Sequence, residues 1–160
     1  MTIYHGHQAH GKAVMSSIQS AFSPVTMQVI SREENGELYG GVIYENYTGA
    51  GGSLLAHVAG FRKNWLNRDM LYIMFDYPFK QLGCRAVFLQ VASNNEASLR
   101  FAKSLGFKEY VVLEDVFPDA DMILLKMKRE ECRFLNVKPR TVFSRRTDDG
   151  KAESTEAARL

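Results

Sequence analysis

The most constraining feature of the sequence is a helical segment with a very broad apolar stripe. Between Arg68 and Leu82 the apolar residues recur at helical spacing: Met70, Leu71, Ile73, Met74, Phe75, Tyr77, Pro78, Phe79 and Leu82. A helix with this much apolar surface is expected to be buried against a sheet. Asn67 is the predicted N-cap and Gly83 the predicted C′ residue, and Pro78 is expected to kink the helix or loosen its last turn.

Three β-rich segments precede this helix. Strands are predicted over Val25–Arg32 and Leu38–Tyr47, with Asn35-Gly36 between them. Asn-Gly is a strong hairpin signal because both residues tolerate positive φ. A third strand is predicted over Ser53–Phe61. The three strands most simply form an antiparallel meander.

Two shorter elements are predicted before the meander. The first is a brief strand over Thr2–His5, and the second is a helix over Gln8–Phe22 with apolar residues at four-residue steps. Ser23-Pro24 is expected to end this helix, because proline disfavours helical conformation in the residue before it.

Strands and a helix alternate after the apolar helix. The apolar segment Ala86–Val91 is typical of a central strand that is buried on both faces. A helix is predicted over Glu96–Leu105, and Ser93, Asn94 and Asn95 are alternative caps. The remaining predicted elements are strands over Phe107–Val116 and Met122–Arg129 and a helical turn over Glu130–Leu135. Helices between successive strands imply parallel crossovers, so the sheet is predicted to be mixed.

Composition limits the class of protein. A chain of 160 residues with 46% hydrophobic residues predicts one folded domain, placed at residues 1–135, followed by an extended or disordered tail at 136–160. The sequence has no apolar run of about 20 residues, so no membrane partner is expected. A net charge of +2 gives no strong nucleic-acid signal. Two cysteines and an N-terminus unlike a signal peptide favour the cytoplasm.

The segment around the second crossover resembles the GNAT N-acetyltransferase superfamily, and most closely its RimJ/RimL-like branch, which includes small enzymes of bacteria and their phages. The residues that carry the resemblance are Leu82-Gly83-Cys84-Arg85-Ala86-Val87, then Val91, Asn95, Ser98 and Leu105-Gly106-Phe107. The resemblance implies an α/β (α+β) fold with a mixed central sheet, in which two parallel strands splay apart between flanking helices. It also implies acetyl-CoA as cosubstrate, lying in that splay.

The resemblance assigns cofactor contacts to the third strand of the meander and to the loop after it. Backbone groups of the strand, at Ala59 and Phe61, are expected to bond the pantetheine arm. The helix N-terminus at Asn67 and Arg68 is expected to take the pyrophosphate, and a capped helix N-terminus is by itself suited to anions. The family's phosphate loop is rich in glycine, but the loop over 62–67 contains none, so it is degenerate. Three cations are expected to compensate, or else to be solvated loop charges: Arg62, Lys63 and Arg68.

Candidate catalytic residues follow from the same resemblance and from chemistry. Many family members protonate the leaving thiolate with a tyrosine, but Ala102 stands at that position. Ser98 is expected to bond the cofactor or donate a proton, or else is an ordinary first-turn residue. Asn95 is expected to bond the pantetheine arm or simply to cap its helix. Two side chains on the central strands, His57 and Glu45, are candidate bases for deprotonating an amine.

Three functions are compared on these grounds. The first is acetyl transfer to a primary amine on a protein N-terminus, a lysine or a small molecule, with self-association left open. The second is a catalytically inactive binding or structural protein of the same fold, phage-encoded or virion-associated. The third is an unrelated small α/β binding module. A metal site at His5, His7 and His10 is disfavoured because no acidic or cysteine partner lies nearby in sequence.

Overall fold

The computed structural model describes residues 1–140, together with the backbone elements at 144–146 and 152–154. Its strands are β1 (Thr2–His5), β2 (Gln28–Glu34), β3 (Glu37–Glu45), β4 (Ser53–Gly60), β5 (Ala86–Ala92), β6 (Lys108–Phe117) and β7 (Ala120–Lys128). These seven strands form one sheet in the order β1-β2-β3-β4-β5-β7-β6. Within it β4 and β5 pair in parallel, and the other neighbours pair antiparallel. The predicted mixed sheet is therefore confirmed.

The first helix, α1 (Gln8–Ser17), ends earlier than the sequence pattern indicates. The prediction that it continues to Phe22 is wrong, because Gln19 adopts a φ of 58° and the backbone N–H of Ser20 bonds back to Met15. Beyond this turn the ring of Phe22 folds against Gly11 of the same helix, where a Cβ atom would overlap it. Phe22 is therefore apolar because it packs on α1, and not because it belongs to the helix.

The apolar helix, α2 (Arg68–Asp76), continues into a π-helical turn at Tyr77–Gln81. Pro78 has no N–H to donate, and the chain closes this turn with a bond from the Leu82 N–H to the Tyr77 carbonyl. Gly83 follows with a φ of 70°. The predicted loosening at Pro78 and the predicted C′ glycine are both confirmed.

The remaining elements agree with prediction to within a few residues. The third helix, α3 (Glu96–Leu105), has the predicted bounds. β2 starts later than predicted because the N–H groups of Thr26 and Met27 bond back to Ser23 in a turn. β6 starts one residue later than predicted because the Phe107 N–H closes the end of α3 on Ala102. The predicted helical turn at 130–135 is two short 3₁₀ turns, Arg129–Glu131 and Arg133–Asn136.

Helices cover the two faces of the sheet unequally. α2 and α3 pack on one face, in a large apolar cluster that includes Val42, Leu54, Phe75, Phe79 and Leu125. α1 packs on the other face in a small cluster formed by Val14, Met15, Val29 and Ile43. Val42 and Ile43 are neighbours on β3, and they alternate between the two faces as strand residues do.

Part of the predicted tail is described. Two short strands, β8 (Ser144–Arg146) and β9 (Ala152–Ser154), form an antiparallel pair. The rest of the predicted tail after residue 140 lies outside the described residues, so the predicted domain boundary at 135/136 stays a prediction. Across the described part of the chain, every helix is too short or too polar to cross a membrane.

Candidate active site

The central cleft of the molecule opens where the two parallel strands separate. β4 and β5 are paired from Ser53 opposite Ala86 to Ala56 opposite Leu89. Beyond these four pairs β4 continues beside β3 to Gly60, and β5 continues beside β7 to Ala92. The divergence leaves a cleft of about 770 Å³ between the strands.

One wall of the cleft is the start of α3. Asn95 is the N-cap of this helix, and its Oδ1 accepts a hydrogen bond from the Ser98 N–H at 3.1 Å. The structure thus selects Asn95 among the three candidate caps, since the Ser93 hydroxyl instead accepts a bond from the Asp121 N–H. Asn95, Ser98 and Ala102 all line the cleft. A role for Asn95 or Ser98 in cofactor binding remains a prediction.

The two candidate bases form one hydrogen-bonded pair, in which His57 lines the cleft and Glu45 contacts it through His57. Nε2 of His57 lies 2.7 Å from Oε1 of Glu45, and the two side chains are only 16% and 19% exposed. In the β3–β4 register His57 is opposite Ile43 and Glu45 is opposite Leu55, so the pair are diagonal neighbours on one sheet face. When Nε2 donates to the carboxylate, Nδ1 of the neutral ring carries the lone pair that accepts a proton.

The rest of the cleft lining was not predicted from the sequence. The end of α1 and the turn after it contribute Ser17, Ile18, Gln19 and Ser20, and the β6–β7 hairpin contributes Phe117 and Met122. The early end of α1 places this turn beside β4, and the helical pattern gives no sign of that end. The hairpin residues depend on long-range register, which sequence periodicity does not carry.

The loop after β4 is anchored to the sheet by a buried tryptophan. Trp65 is 8% exposed and packs directly on two glycines, Gly40 of β3 and Gly60 of β4. Arg32, itself 7% exposed, donates from Nη1 to the carbonyls of Asn64 at 2.5 Å and Trp65 at 3.0 Å. The loop itself contains no glycine, but Gly40 and Gly60 leave the space on β3 and β4 that the Trp65 ring occupies. A glycine pair inside a strand, here Gly40-Gly41, is the sequence signal for such a close approach.

Most of the cofactor-binding groups predicted at the end of β4 and in the loop after it already have protein partners. The N–H groups of Phe61 and Arg62 both donate to the Tyr39 carbonyl, at 2.9 and 3.2 Å. The Arg62 guanidinium pairs with Glu37, and this contact lowers the pKa of the Glu37 carboxyl. Asn67 caps α2 by accepting the Met70 N–H at 2.8 Å. Lys63 is exposed on the same loop.

The segment 137–140, predicted as the start of the tail, crosses the N-terminal end of α2. Nε of Arg68 donates to the Lys138 carbonyl at 2.7 Å, and the Arg140 N–H donates to Oδ1 of Asp69 at 2.5 Å. The exposed side chains of Arg68, Lys138 and Arg140 thus bring positive charge to the helix end that was predicted to bind phosphate.

The N-terminal histidines are engaged with other protein groups. His10 lies 2.8 Å from the Ser31 hydroxyl and 3.3 Å from Glu33, and its ring stacks on His7 at 3.7 Å between centroids. Burial, followed by the nearby His7, lowers the pKa of His10. His5 sets its ring edge against Tyr77. Among the described residues, no group of three or more histidine, cysteine or acidic side chains is placed to hold a metal ion.

Both cysteines are buried and lie outside the cleft lining. Cys84 and Cys132 are free thiols within the large apolar cluster. Burial raises the pKa of each thiol, which disfavours the nucleophilic thiolate. The described chemistry at the cleft therefore rests on nitrogen and oxygen groups.

Comparison with solved structures identifies the fold. The structure of yncA from Salmonella typhimurium with its cofactor acetyl-CoA matches with a TM-score of 0.60 and 17% identity, over 79% of this chain and 92% of that one. Spermidine N-acetyltransferase from Vibrio cholerae in complex with CoA and spermine matches with a TM-score of 0.58 and 18% identity, over 69% of each chain. The N-acetyltransferase PseH of Campylobacter jejuni matches with a TM-score of 0.51 and 16% identity, over 65% and 69%.

No protein-family model matches the chain, and no curated protein matches it. This chain has a mixed seven-stranded sheet flanked by helices. Together with the structural matches, this architecture defines a GNAT acetyltransferase fold. The predicted fold class is confirmed, whereas the narrower RimJ/RimL-like branch stays a prediction.

Proposed function

We propose that this protein is an N-acetyltransferase that moves the acetyl group of acetyl-CoA to a primary amine. The observation that carries the proposal is the cleft between β4 and β5, with His57 on its wall and the Glu45 carboxylate paired to it. Support also comes from the solved structures with this fold, two of which contain acetyl-CoA or CoA.

The cleft suits the pantetheine arm of the cosubstrate. Residues 57–60 of β4, which include Ala59, have no strand partner on the side that faces β5. Unpaired backbone groups along such an edge are complementary to the two amides of pantetheine. Asn95 and Ser98 stand on the opposite wall and supply side-chain hydrogen-bonding groups.

The phosphates are assigned to the loop after β4 and the start of α2, whose residues lie outside the lining of the cleft. Arg62, Lys63, Asn67 and Arg68 are the residues proposed to hold them, by charge rather than through a glycine loop. Arg62 would exchange the Glu37 carboxylate for a phosphate when the cosubstrate binds. The dipole of α2 adds a partial positive charge at this end.

His57 is proposed to act as the base. An amine attacks only as the neutral species, so Nδ1 of His57 takes the ammonium proton while Glu45 stabilises the resulting imidazolium. The C–N bond to the acetyl group then forms and the C–S bond to CoA breaks. The second proton of the amine nitrogen leaves as the amide forms, and solvent or the Ser98 hydroxyl relays it to the thiolate, since Ala102 carries no acidic group.

The lining of the cleft favours an acceptor with little charge. The spermidine N-acetyltransferase of the same fold has spermine in its complex, and a polyamine is recognised best by carboxylates. The lining residues in the described part of the chain include no aspartate or glutamate, and the nearby Glu45 carboxylate is already paired with His57. We therefore favour a protein N-terminus, a lysine or a monoamine over a polyamine.

An inactive protein of this fold is the second candidate function. Ala102 in place of a proton donor supports it, as does the Arg62–Glu37 pair, which occupies a cation proposed for phosphate. The active enzyme binds acetyl-CoA and turns it over. The inactive protein does not turn acetyl-CoA over, and it either binds acetyl-CoA or has lost binding as well.

Acetyl-CoA is expected to raise the midpoint of thermal unfolding. At a concentration of about 100 times Kd, mass action stabilises the folded state by about 2.7 kcal/mol. For a chain of this length, that corresponds to a rise of roughly 5–10 °C. Differential scanning fluorimetry with acetyl-CoA and with an equal concentration of ATP separates specific binding from a general polyanion effect. An unchanged midpoint at millimolar acetyl-CoA would contradict the proposed function. Where the midpoint rises, an assay for release of free CoA with a panel of amines decides whether the protein turns acetyl-CoA over.

Replacing Arg62 and Lys63 together by alanine is expected to weaken acetyl-CoA binding about 10-fold, because two charge-assisted contacts to phosphate are lost. Isothermal titration calorimetry with acetyl-CoA and with the phosphate-free fragment acetyl-pantetheine measures the effect. Only the acetyl-CoA affinity should fall.

Glu37→Gln is the matched variant for this prediction. It removes the carboxylate that competes for Arg62, so acetyl-CoA should bind more tightly than in the parent protein. Equal affinity in all three proteins would remove Arg62 and Lys63 from the site.

A further inference from the structure

The outer strand of the sheet is exposed along its entire length. All ten residues of β6 are exposed, and the strand pairs with β7 on one side only. Six of them are large apolar residues: Tyr110, Val111, Val112, Leu113, Val116 and Phe117. Edge strands in stable monomers are usually short, charged or covered, because an open edge pairs with another chain. This strand is long and apolar, and no described element covers it.

Neither face of β6 is protected by a helix. Val112 is opposite Ile123 of β7 and Val111 is opposite Leu124, so these neighbouring side chains point to opposite faces of the sheet. Val112 is nevertheless 50% exposed and Val111 41%. A partner for this strand would therefore cover both faces as well as the unpaired backbone edge.

Charge is distributed unequally between the two ends of the β6–β7 hairpin. At the open end, Lys108 is opposite Lys126, and Lys103 of α3 reaches Glu109 at 2.7 Å. The closed end carries acidic residues without any basic residue over 114–121: Glu114, Asp115, Asp119 and Asp121. An antiparallel copy of the same strand would place the acidic end of each beside the basic end of the other.

We infer that β6 pairs antiparallel with β6 of a second copy of this chain, about a two-fold axis near Val112. The regular part of the strand, Val111–Leu113, lies between two register shifts and is the segment available for ladder pairing. A two-fold contact of this kind is self-complementary and closes at two copies. Parallel pairing would instead bring the two acidic ends together, which is repulsive. The two seven-stranded sheets would join into one continuous sheet.

Sedimentation equilibrium on the full chain tests this inference. Across roughly 1–100 µM the parent protein should reach twice its mass of 18.1 kDa. Val112→Lys places a charge on the axis in both copies and should weaken self-association about 100-fold. Val25→Lys is the matched control, since Val25 is 90% exposed and lies outside β6. A parent protein that stays monomeric, or a dimer that Val112→Lys leaves intact, overturns the inference.

Charge reversal tests the antiparallel arrangement. In the antiparallel arrangement Lys108 faces the four acidic residues of the other copy. Lys108→Glu replaces this attraction by repulsion and should weaken the dimer about 10-fold. Lys108 also pairs with Glu131 at 3.1 Å within its own chain, so the single variant alone is ambiguous. Adding Glu114→Lys should restore association, and failure to restore it contradicts antiparallel pairing.

A crosslink gives a second, independent measurement. Val112→Cys places two thiols on the two-fold axis, so mild oxidation should produce a covalent dimer on a non-reducing gel. The native thiols Cys84 and Cys132 are buried and give no background. Val25→Cys is the control and should remain uncrosslinked. Equal crosslinking of both variants would indicate random collision and contradict the inference.

Discussion

Replacing His57 with glutamine is expected to lower kcat/KM for acetyl transfer about 100- to 1000-fold, because the group that removes the amine proton is lost. Glutamine keeps a hydrogen-bond donor toward Glu45, so the strands should retain their positions. Affinity for acetyl-CoA should change little, since His57 is assigned to the amine. Steady-state kinetics of CoA release and calorimetry of cosubstrate binding measure the two effects separately.

Two further variants sharpen this test. Glu45→Gln leaves the base in place and removes only its negatively charged neighbour, so a smaller loss of about 10-fold is expected. His5→Gln is the control for replacing a histidine, because His5 lies on β1, the edge strand opposite to β6. Full activity in the His57→Gln protein would show that another group, or water alone, accepts the proton.

Adding a single methyl group at Gly60 is expected to destabilise the protein by about 2–3 kcal/mol, because it overpacks a well-filled site. A Cβ atom at this position would overlap the indole of Trp65, and its three nearest atoms all belong to that ring. The midpoint of thermal unfolding should fall by roughly 5–10 °C. Urea unfolding followed by circular dichroism gives the change in the free energy of unfolding.

A double-mutant cycle with Trp65→Leu identifies the cause of this loss. Trp65→Leu alone removes buried surface and is also destabilising. In its background Gly60→Ala should cost almost nothing, since the ring that it overlaps is gone. Gly40→Ala offers a contrast, because its Cβ would also lie 2.8 Å from the Ala59 carbonyl, which the Trp65 variant leaves in place. An equal cost of Gly60→Ala in both backgrounds would mean that overlap with the Trp65 ring is not the cause of the destabilisation.

Local signals in the sequence were sufficient to predict the elements that build the cleft. Asn67 and Gly83 bound the apolar helix and its π-helical turn, as helix caps predict. The crossover through that helix correctly indicated the parallel pair of β4 and β5. The helix ends depend on residues that are close together in the chain, which short-range signals report well, whereas the parallel pairing follows from the strand–helix–strand order.

The details of the candidate site depend on contacts between distant residues. The His57–Glu45 pair depends on the register of β3 and β4, and a shift of one residue would turn either side chain to the other face. The hydrogen bonds that hold the loop after β4 run from Arg32 to Asn64 and Trp65, which are more than thirty positions away. Such contacts leave no periodic trace in one sequence. The early end of α1 was missed for the same reason, since Phe22 fits a helical stripe until its contact with Gly11 is known.

The seven-stranded sheet is mechanically two antiparallel sheets that share a short seam. β1 to β4 form one plate and β5 to β7 form the other, and the four residue pairs between β4 and β5 join them. The cleft is the open angle between these plates. Because only these four pairs join the two plates, a small change in the angle between the plates corresponds to a larger change in the width of the cleft at its open end.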